Sequence, residues 1–144
     1  MRRCLSVILL FLLLVRGVHA QDTPADVFIE AMVDQPAPFV GQQFVYVVRV
    51  YEAADRVDTS PLYEPPSFEG LWRIEVQPFP FLQTSQRINN REYVVSEIRA
   101  ALYATRPGEI LIAPASVVLP ETVFRPEQRV SSNVVTVQAQ PLPE

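Results

Sequence analysis

Short apolar runs, separated by turns rich in proline, glycine and asparagine, occur along most of the chain. The longer runs are dense in β-branched and aromatic residues, which favours strands over helices. Strands are predicted at Val27–Val33, Gln42–Glu52, Leu71–Val76, Arg91–Ala104, Ile110–Ile112, Val117–Leu119 and Asn133–Gln138, with an edge segment from Pro78 to Leu82 and a turn at Asn89–Asn90. This pattern predicts an all-β fold, an immunoglobulin-like antiparallel β-sandwich of about seven or eight strands. The Cys…Trp…Cys spacing of antibody domains is absent, so only the architecture is predicted.

Side-chain alternation predicts which residues fill the core. In the run Gln42–Glu52, one face carries Phe44, Tyr46, Val48 and Val50. The opposite face is also apolar at its start, which predicts a central strand. Trp72, Ile74 and Val76 likewise share a face, and we expect them in the core because large apolar side chains on one face are most often buried. The alternative for Trp72 is a ligand platform. A helix competes with the strand at Ser96–Leu102, but the flanking Tyr93-Val94-Val95 favours the strand.

The segment Ala53–Glu69 differs in composition from the predicted strands. It carries four acidic residues and three prolines, which are Asp55, Asp58, Glu64, Glu69, Pro61, Pro65 and Pro66. We predict a long, proline-stiffened loop. Connections of this length are uncommon and are often functional, although a meandering crossover between sheets explains the composition equally well.

The first twenty residues have the pattern of a targeting segment. Arg2 and Arg3 precede an apolar run, Cys4–Val15, that is shorter than the roughly 20 residues a membrane span needs. Small residues at Val18 and Ala20 then predict a secretory signal peptide at 1–20, cleaved after Ala20. An uncleaved anchor is the alternative. The remaining chain is predicted to be one β-sandwich domain at 21–140 with a loose tail at 141–144 and no transmembrane span.

Composition narrows the chemistry further. The chain has 144 residues and a formal net charge of -4, with 16 acidic residues against 12 arginines and no lysine. This acidic balance disfavours nucleic-acid binding, which needs a cationic surface. The single cysteine, Cys4, and the single histidine, His19, both precede the cleavage site. Disulfides, imidazole-assisted nucleophiles, lysine Schiff bases and Cys/His zinc sites are therefore excluded from 21–144. No cofactor is expected, and carboxylate chemistry or oxygen-ligand metal binding stays open.

Several segments in this order resemble the N-terminal region of the BatD family of bacterial oxygen-tolerance (aerotolerance) proteins. The most telling are Pro66–Trp72, with the pattern Pro-x-Phe-x-Gly-Leu-Trp, and the Thr-Arg-Pro-Gly-Glu turn at Thr105–Glu109. They are accompanied by Val27–Ala31, Val40–Gln42, Val50-Tyr51, Tyr93–Arg99, Ile112–Ala115, Ser132–Val137 and Leu142-Pro143. The resemblance covers most of the chain after residue 20.

The resemblance implies an exported protein at the periplasmic or extracytoplasmic face of a membrane. Proteins of this family have tandem β-sandwich domains and usually a C-terminal transmembrane helix. They are typically encoded beside Bat proteins with von Willebrand A domains and a MoxR-type ATPase, and they are associated with envelope assembly or stress tolerance. No catalytic residues come with the family. We expect this chain to represent the first of the domains.

Together these observations predict an exported, non-catalytic interaction module that binds other envelope proteins, with von Willebrand A-domain Bat proteins as candidates. The candidate contact residues are aromatic (Tyr63, Phe68, Trp72, Phe79 and Phe81) or acidic (Asp55, Asp58 and Glu64). One alternative is an extracellular domain that binds calcium, through Asp55, Asp58 and Glu64, or glycans. The other is a glycosidase in which Glu64 and Glu69 lie about 5 to 10 Å apart.

Overall fold

The computed structural model describes residues 25–56, 60–74 and 82–143. These residues form strands, bridges and turns, with no helix among them. The ten strands are β1 (Val27–Val33), β2 (Gln43–Ala53), β3 (Leu62–Glu64), β4 (Leu71–Ile74), β5 (Leu82–Ile88), β6 (Arg91–Ala104), β7 (Gly108–Ile112), β8 (Ser116–Leu119), β9 (Gln128–Ser131) and β10 (Val135–Ala139). All their pairings are antiparallel. The predicted all-β class is confirmed, and the immunoglobulin-like type stays a prediction.

The largest sheet has five strands in the order β1-β2-β6-β4, and β5 also pairs with β6. The long strand β6 uses one edge for β2 and divides its other edge between two strands. Leu71 of β4 lies opposite Ala104, near the end of β6, whereas Ile88 of β5 lies opposite Arg91 at its start. The smaller sheets are β10-β7 and β3-β8-β9. The expectation that β2 is a central strand is confirmed.

One main core joins all three sheets. From the large sheet it takes the predicted face of β2, on which Phe44, Tyr46, Val48 and Val50 are each at most 4% exposed. The smaller sheets contribute Ile112, Val117 and Val137, each at most 1% exposed. Alternate residues of the short strands β7 and β10 therefore point inward, and the outward face of the large sheet is left for other contacts.

Three strands lie outside the sequence prediction. Strand β3 lies within the predicted loop Ala53–Glu69, so that segment is not wholly a loop. Strands β5 and β9 are also additional, and both are polar along most of their length. Among the residues that the structure describes, each pairs with a single neighbouring strand. Hydrophobic periodicity is a weak signal for such strands because few of their side chains enter the core.

The outer edge of β1 is closed by a side chain. The Asn133 amide nitrogen donates to the Ala31 carbonyl (2.9 Å), and its amide oxygen accepts from the Ala31 N–H (3.0 Å). This pair of bonds reproduces the pairing that a neighbouring strand would make. A side chain in this position blocks edge-to-edge pairing with another chain at Ala31.

Candidate functional site

An apolar patch lies on the outward face of the large sheet, at the end of β6. Two rows of paired residues form it, Trp72–Tyr103–Gln43 and Ile74–Ala101–Val45. Trp72 is 61% exposed and Ile74 is 41% exposed. The Trp72 and Tyr103 ring centroids are 5.4 Å apart, and the Tyr103 hydroxyl donates to Gln43 Oε1 (2.6 Å). Tyr103 and Val45 are half-buried beside these two side chains, and Ala101 is buried beneath them at 7% exposure. We call Trp72, Ile74, Tyr103 and Val45 the outer patch.

The expectation that Trp72 and Ile74 lie in the core is wrong. Leu71 packs against the core and lies opposite the buried Ala104. Because side chains alternate along a strand, Trp72 and Ile74 must then face outward. In this strand of four residues both faces carry an apolar side chain, Leu71 on one and Trp72 and Ile74 on the other. A shift of one residue in the pairing exchanges the two faces. The sequence therefore could not fix which set is buried. Val76 lies outside the described residues.

The two segments that carry the family resemblance meet beside this patch. Thr105 donates to the Gly70 carbonyl from its N–H (3.2 Å) and from its hydroxyl (2.8 Å). Gly70 has φ of 77°, a left-handed conformation that glycine adopts without strain. The Leu71 N–H donates to the Phe68 carbonyl (3.1 Å). These bonds hold the start of β4 and so fix the position of Trp72.

A row of charged residues crosses the middle of the outward face. Glu97 accepts from Arg49 Nε (3.0 Å) on β2 and from Arg99 Nε (2.6 Å). The Arg49 hydrogen bond is the main cause of a lowered pKa for the Glu97 carboxyl, and the Arg99 hydrogen bond also contributes. The ion pair between Glu97 and Arg99 matches their two-residue spacing on one face. This row separates the outer patch from the other end of the sheet.

The other end of the outward face is a small sealed cluster. Phe28 stacks on Tyr51 at a centroid distance of 4.3 Å, and its ring meets Tyr93 edge-on at 5.3 Å. Tyr93 is fully buried, and its hydroxyl donates to the Ala25 carbonyl (3.0 Å). Val95 completes the buried set together with Ala53. Most of this cluster is buried, so within the described residues Trp72 and Ile74 are the most exposed large apolar side chains of this face.

The predicted aromatic contact residues do not form one surface. Tyr63 and Phe68 are half-buried and pack against the main core. Phe68 meets Tyr46 edge-on at 5.4 Å, and burial raises the pKa of Tyr63 to about 12. Trp72 faces the opposite side of the sheet, and Phe79 and Phe81 lie outside the described residues. Tyr103 and Val45 were missed, because only the strand register brings them beside Trp72.

The predicted acidic residues are held by different arginines. Asp55 accepts from Arg91 (2.8 Å), which also binds Asp26 (2.8 Å). Glu64 is paired with Arg129 through both carboxylate oxygens. Asp58 lies outside the described residues. Within residues 25–56, 60–74 and 82–143, no group of three or more acidic, histidine or cysteine side chains is placed to hold a metal ion.

Comparison of the sequence with models of known protein families assigns this chain to a family. The family described as "BatD DUF11 like domain" matches residues 31–139. The chain belongs to the BatD family. The match includes all of the outer patch and both segments that meet at Gly70. Searches of the curated proteins and of the solved structures found no match to this BatD-family chain. The described residues contain no helix that could cross a membrane.

Proposed function

We propose that this chain is a non-catalytic interaction module of the cell envelope that binds a protein partner through the outer patch. The observation that carries the proposal is the exposure of Trp72 on a rigid sheet, at 61% of its surface. Tryptophan and tyrosine are enriched among residues that dominate binding energy at protein interfaces. Exposed apolar surface that is contiguous commonly marks such interfaces.

The geometry around Trp72 favours binding without reorganisation. Tyr103 packs beside the indole and is itself held by Gln43. The Gly70–Thr105 bonds fix the preceding turn. A side chain that is already ordered loses little conformational freedom when a partner covers it. The charged row at Glu97 gives the patch a polar border, as is usual around an interface core.

The family supports a partner from the Bat proteins. Bat proteins with von Willebrand A domains are the first candidates, and the proposed role is envelope assembly or oxygen tolerance. A non-catalytic role agrees with the composition, since the residues after Ala20 contain no histidine, cysteine or lysine. The ion pairs of Glu64 and Asp55 also occupy two of the four carboxylates that the calcium and glycosidase alternatives would use.

The direct test is binding of the soluble von Willebrand A domain of a Bat protein from the same organism, measured by biolayer interferometry. We expect Trp72→Ser to weaken binding at least about tenfold, as for a central aromatic contact, and Trp72→Phe to retain more of it. Leu111→Ser is the matched control, because Leu111 is 58% exposed but lies on β7. Equal binding by Trp72→Ser and wild type would refute the outer patch as the interface.

Export is a separate part of the proposal. We propose that the apolar segment directs the chain across the cytoplasmic membrane and is removed after Ala20. N-terminal sequencing of the chain recovered from an extracytoplasmic fraction should begin at Gln21. A chain that stays in the cytoplasm would contradict export, and an exported chain that begins at Met1 would contradict cleavage.

A further inference from the structure

Arginine is the one residue type of this chain after which proteases of the trypsin class can cut. These enzymes cleave after lysine or arginine, and the chain has 12 arginines and no lysine. Three of the arginines lie within the first twenty residues, and the other nine lie within the residues that the structure describes. They are Arg49, Arg56, Arg73, Arg87, Arg91, Arg99, Arg106, Arg125 and Arg129. How the fold presents these nine therefore decides whether such a protease can cut the folded domain.

Seven of the nine arginines are held by the sheets. Six lie within paired strands, which are Arg49 on β2, Arg73 on β4, Arg87 on β5, Arg91 and Arg99 on β6, and Arg129 on β9. A protease binds its substrate as an extended segment in its own cleft, so a paired strand must first be released from its sheet. Arg56 follows β2, and its side chain is only 6% exposed and pairs with Glu52. The folded chain therefore does not present these seven sites.

The other two arginines, Arg106 and Arg125, lie in connections between strands. Arg106 is exposed in the turn between β6 and β7, and the side chain of Arg125 is 52% exposed between β8 and β9. Each is followed directly by a proline, Pro107 or Pro126. The proline ring fixes φ and its nitrogen carries no hydrogen, and enzymes of the trypsin class hydrolyse the bond before a proline very slowly. Both exposed arginines are therefore poor cleavage sites.

The connection between β8 and β9 is the place where this proline matters most. It runs from Pro120 to Glu127, and its turn presents Val123 and Phe124, each 93% exposed. The turn is closed by backbone hydrogen bonds between Thr122 and Arg125. A turn whose central side chains lie outside the core can open locally while the sheets stay paired. Exposed loop tips of this kind are preferred points of proteolytic nicking.

We propose that the folded domain resists proteases that cleave after basic residues, and that Pro126 protects Arg125 from them. Arg125 joins this connection to Asp26, just before β1, through an ion pair of 3.6 Å. The proline after it leaves the ion pair in place and removes the cleavage site that an arginine would otherwise create. A cut there would sever β9 and β10 from the first eight strands of the chain. The resistance does not depend on the outer patch, which lies on the large sheet.

Limited trypsin digestion of the full chain, with fragments identified by mass spectrometry, tests the proposal. We expect residues 25–144 of the wild type to stay in one fragment while circular dichroism shows the chain to be folded. Pro126→Ala should be cut after Arg125, where water adds to the peptide bond and leaves a carboxylate on Arg125 and a new amino terminus at position 126. Pro120→Ala is the matched control, because Pro120 lies in the same connection but follows Leu119, and it should resist like the wild type.

Two further measurements separate protection by Pro126 from protection by the fold. Chymotrypsin cleaves after large apolar residues and should cut the wild type after Phe124, and absence of that cut would contradict the role of Pro126. Phe124→Arg places an arginine in the same turn with no proline after it, so trypsin should cut after position 124 even if Pro126→Ala does not fold. Resistance of both variants would overturn the proposal. Cleavage of the folded wild type after any of the nine arginines would also overturn it.

Discussion

The contact between Asn133 and Ala31 gives the sharpest prediction about stability. The two residues are 102 positions apart, and the Asn133 amide makes two hydrogen bonds to the backbone of Ala31. Backbone hydrogen bonds to β2 are made at Asp26 and Asp34. Such bonds recur at every second residue of an antiparallel strand, so they fall on the even-numbered residues of β1. The N–H and C=O of Ala31 therefore point away from β2. Asn133→Ala therefore removes the partners of the Ala31 N–H and of the Ala31 carbonyl at once.

The expected cost follows from the two lost bonds. A hydrogen bond contributes a net 0.5 to 1.5 kcal/mol or so to folding, so Asn133→Ala should lower the free energy of unfolding by about 1 to 3 kcal/mol. Urea denaturation followed by circular dichroism measures this, and the slope of the transition should not change. A loss below about 0.3 kcal/mol would refute the account of β1 as an edge held by this side chain.

Asn133→Asp separates the two bonds. The ionised carboxylate still accepts from the Ala31 N–H but cannot donate to the Ala31 carbonyl. The protonated acid can do both, so folding should raise the pKa of the introduced carboxyl. The stability deficit relative to wild type should then be largest near neutral pH and shrink as the pH falls through that raised pKa. A deficit that grows on acidification would contradict the assigned geometry.

The remaining predictions concern single residues of the fold and the outer patch. Trp72→Ser should change stability by less than about 0.5 kcal/mol because Trp72 is exposed, whereas Leu102→Ala, in the core at 0% exposure, should cost about 2 to 5 kcal/mol by urea denaturation. Gly70→Ala should cost about 1 kcal/mol, because φ is 77° there, and should weaken partner binding. Asn90→Gly should raise the melting temperature, because the turn needs φ of 64° at this position. Glu97 has a lowered pKa in the folded state. Its contribution is therefore present above the unfolded pKa and lost as the pH falls through the folded value, so Glu97→Gln should destabilise the chain more at pH 7 than at pH 3.

Long strands were predictable from the sequence because many alternating positions show which face of the strand is buried. Strand β2 has eleven residues, and alternation over Phe44 to Val50 identifies both its inward face and its central place. Strand β4 has four residues, and its alternation permits either face to be buried. Only the pairing of Leu71 with Ala104 decides this, and that pairing depends on tertiary packing. The composition of a short strand such as β4 thus predicts that a strand forms, but not its register.

The outer patch was predictable only in part for a related reason. Trp72 was recognised from its own sequence context, as a residue of a family segment. Tyr103 and Val45 belong to strands whose pairing order must be known before they can be placed beside it. Tyr63 and Phe68 are close to Trp72 in sequence, but they turn toward the core before β4 begins. Proximity in sequence was therefore a poor guide to shared surface across this turn.

The central claim is that the outward face of the large sheet, at Trp72, is where a protein partner binds. Backbone amide NMR of the isotope-labelled chain, titrated with the soluble von Willebrand A domain of a Bat protein, tests it residue by residue. Shifts concentrated at Trp72, Tyr103 and Val45, with β8 and β9 unaffected, are the predicted result. Shifts confined to the smaller sheets, or a spectrum unchanged at saturating partner, would contradict the claim.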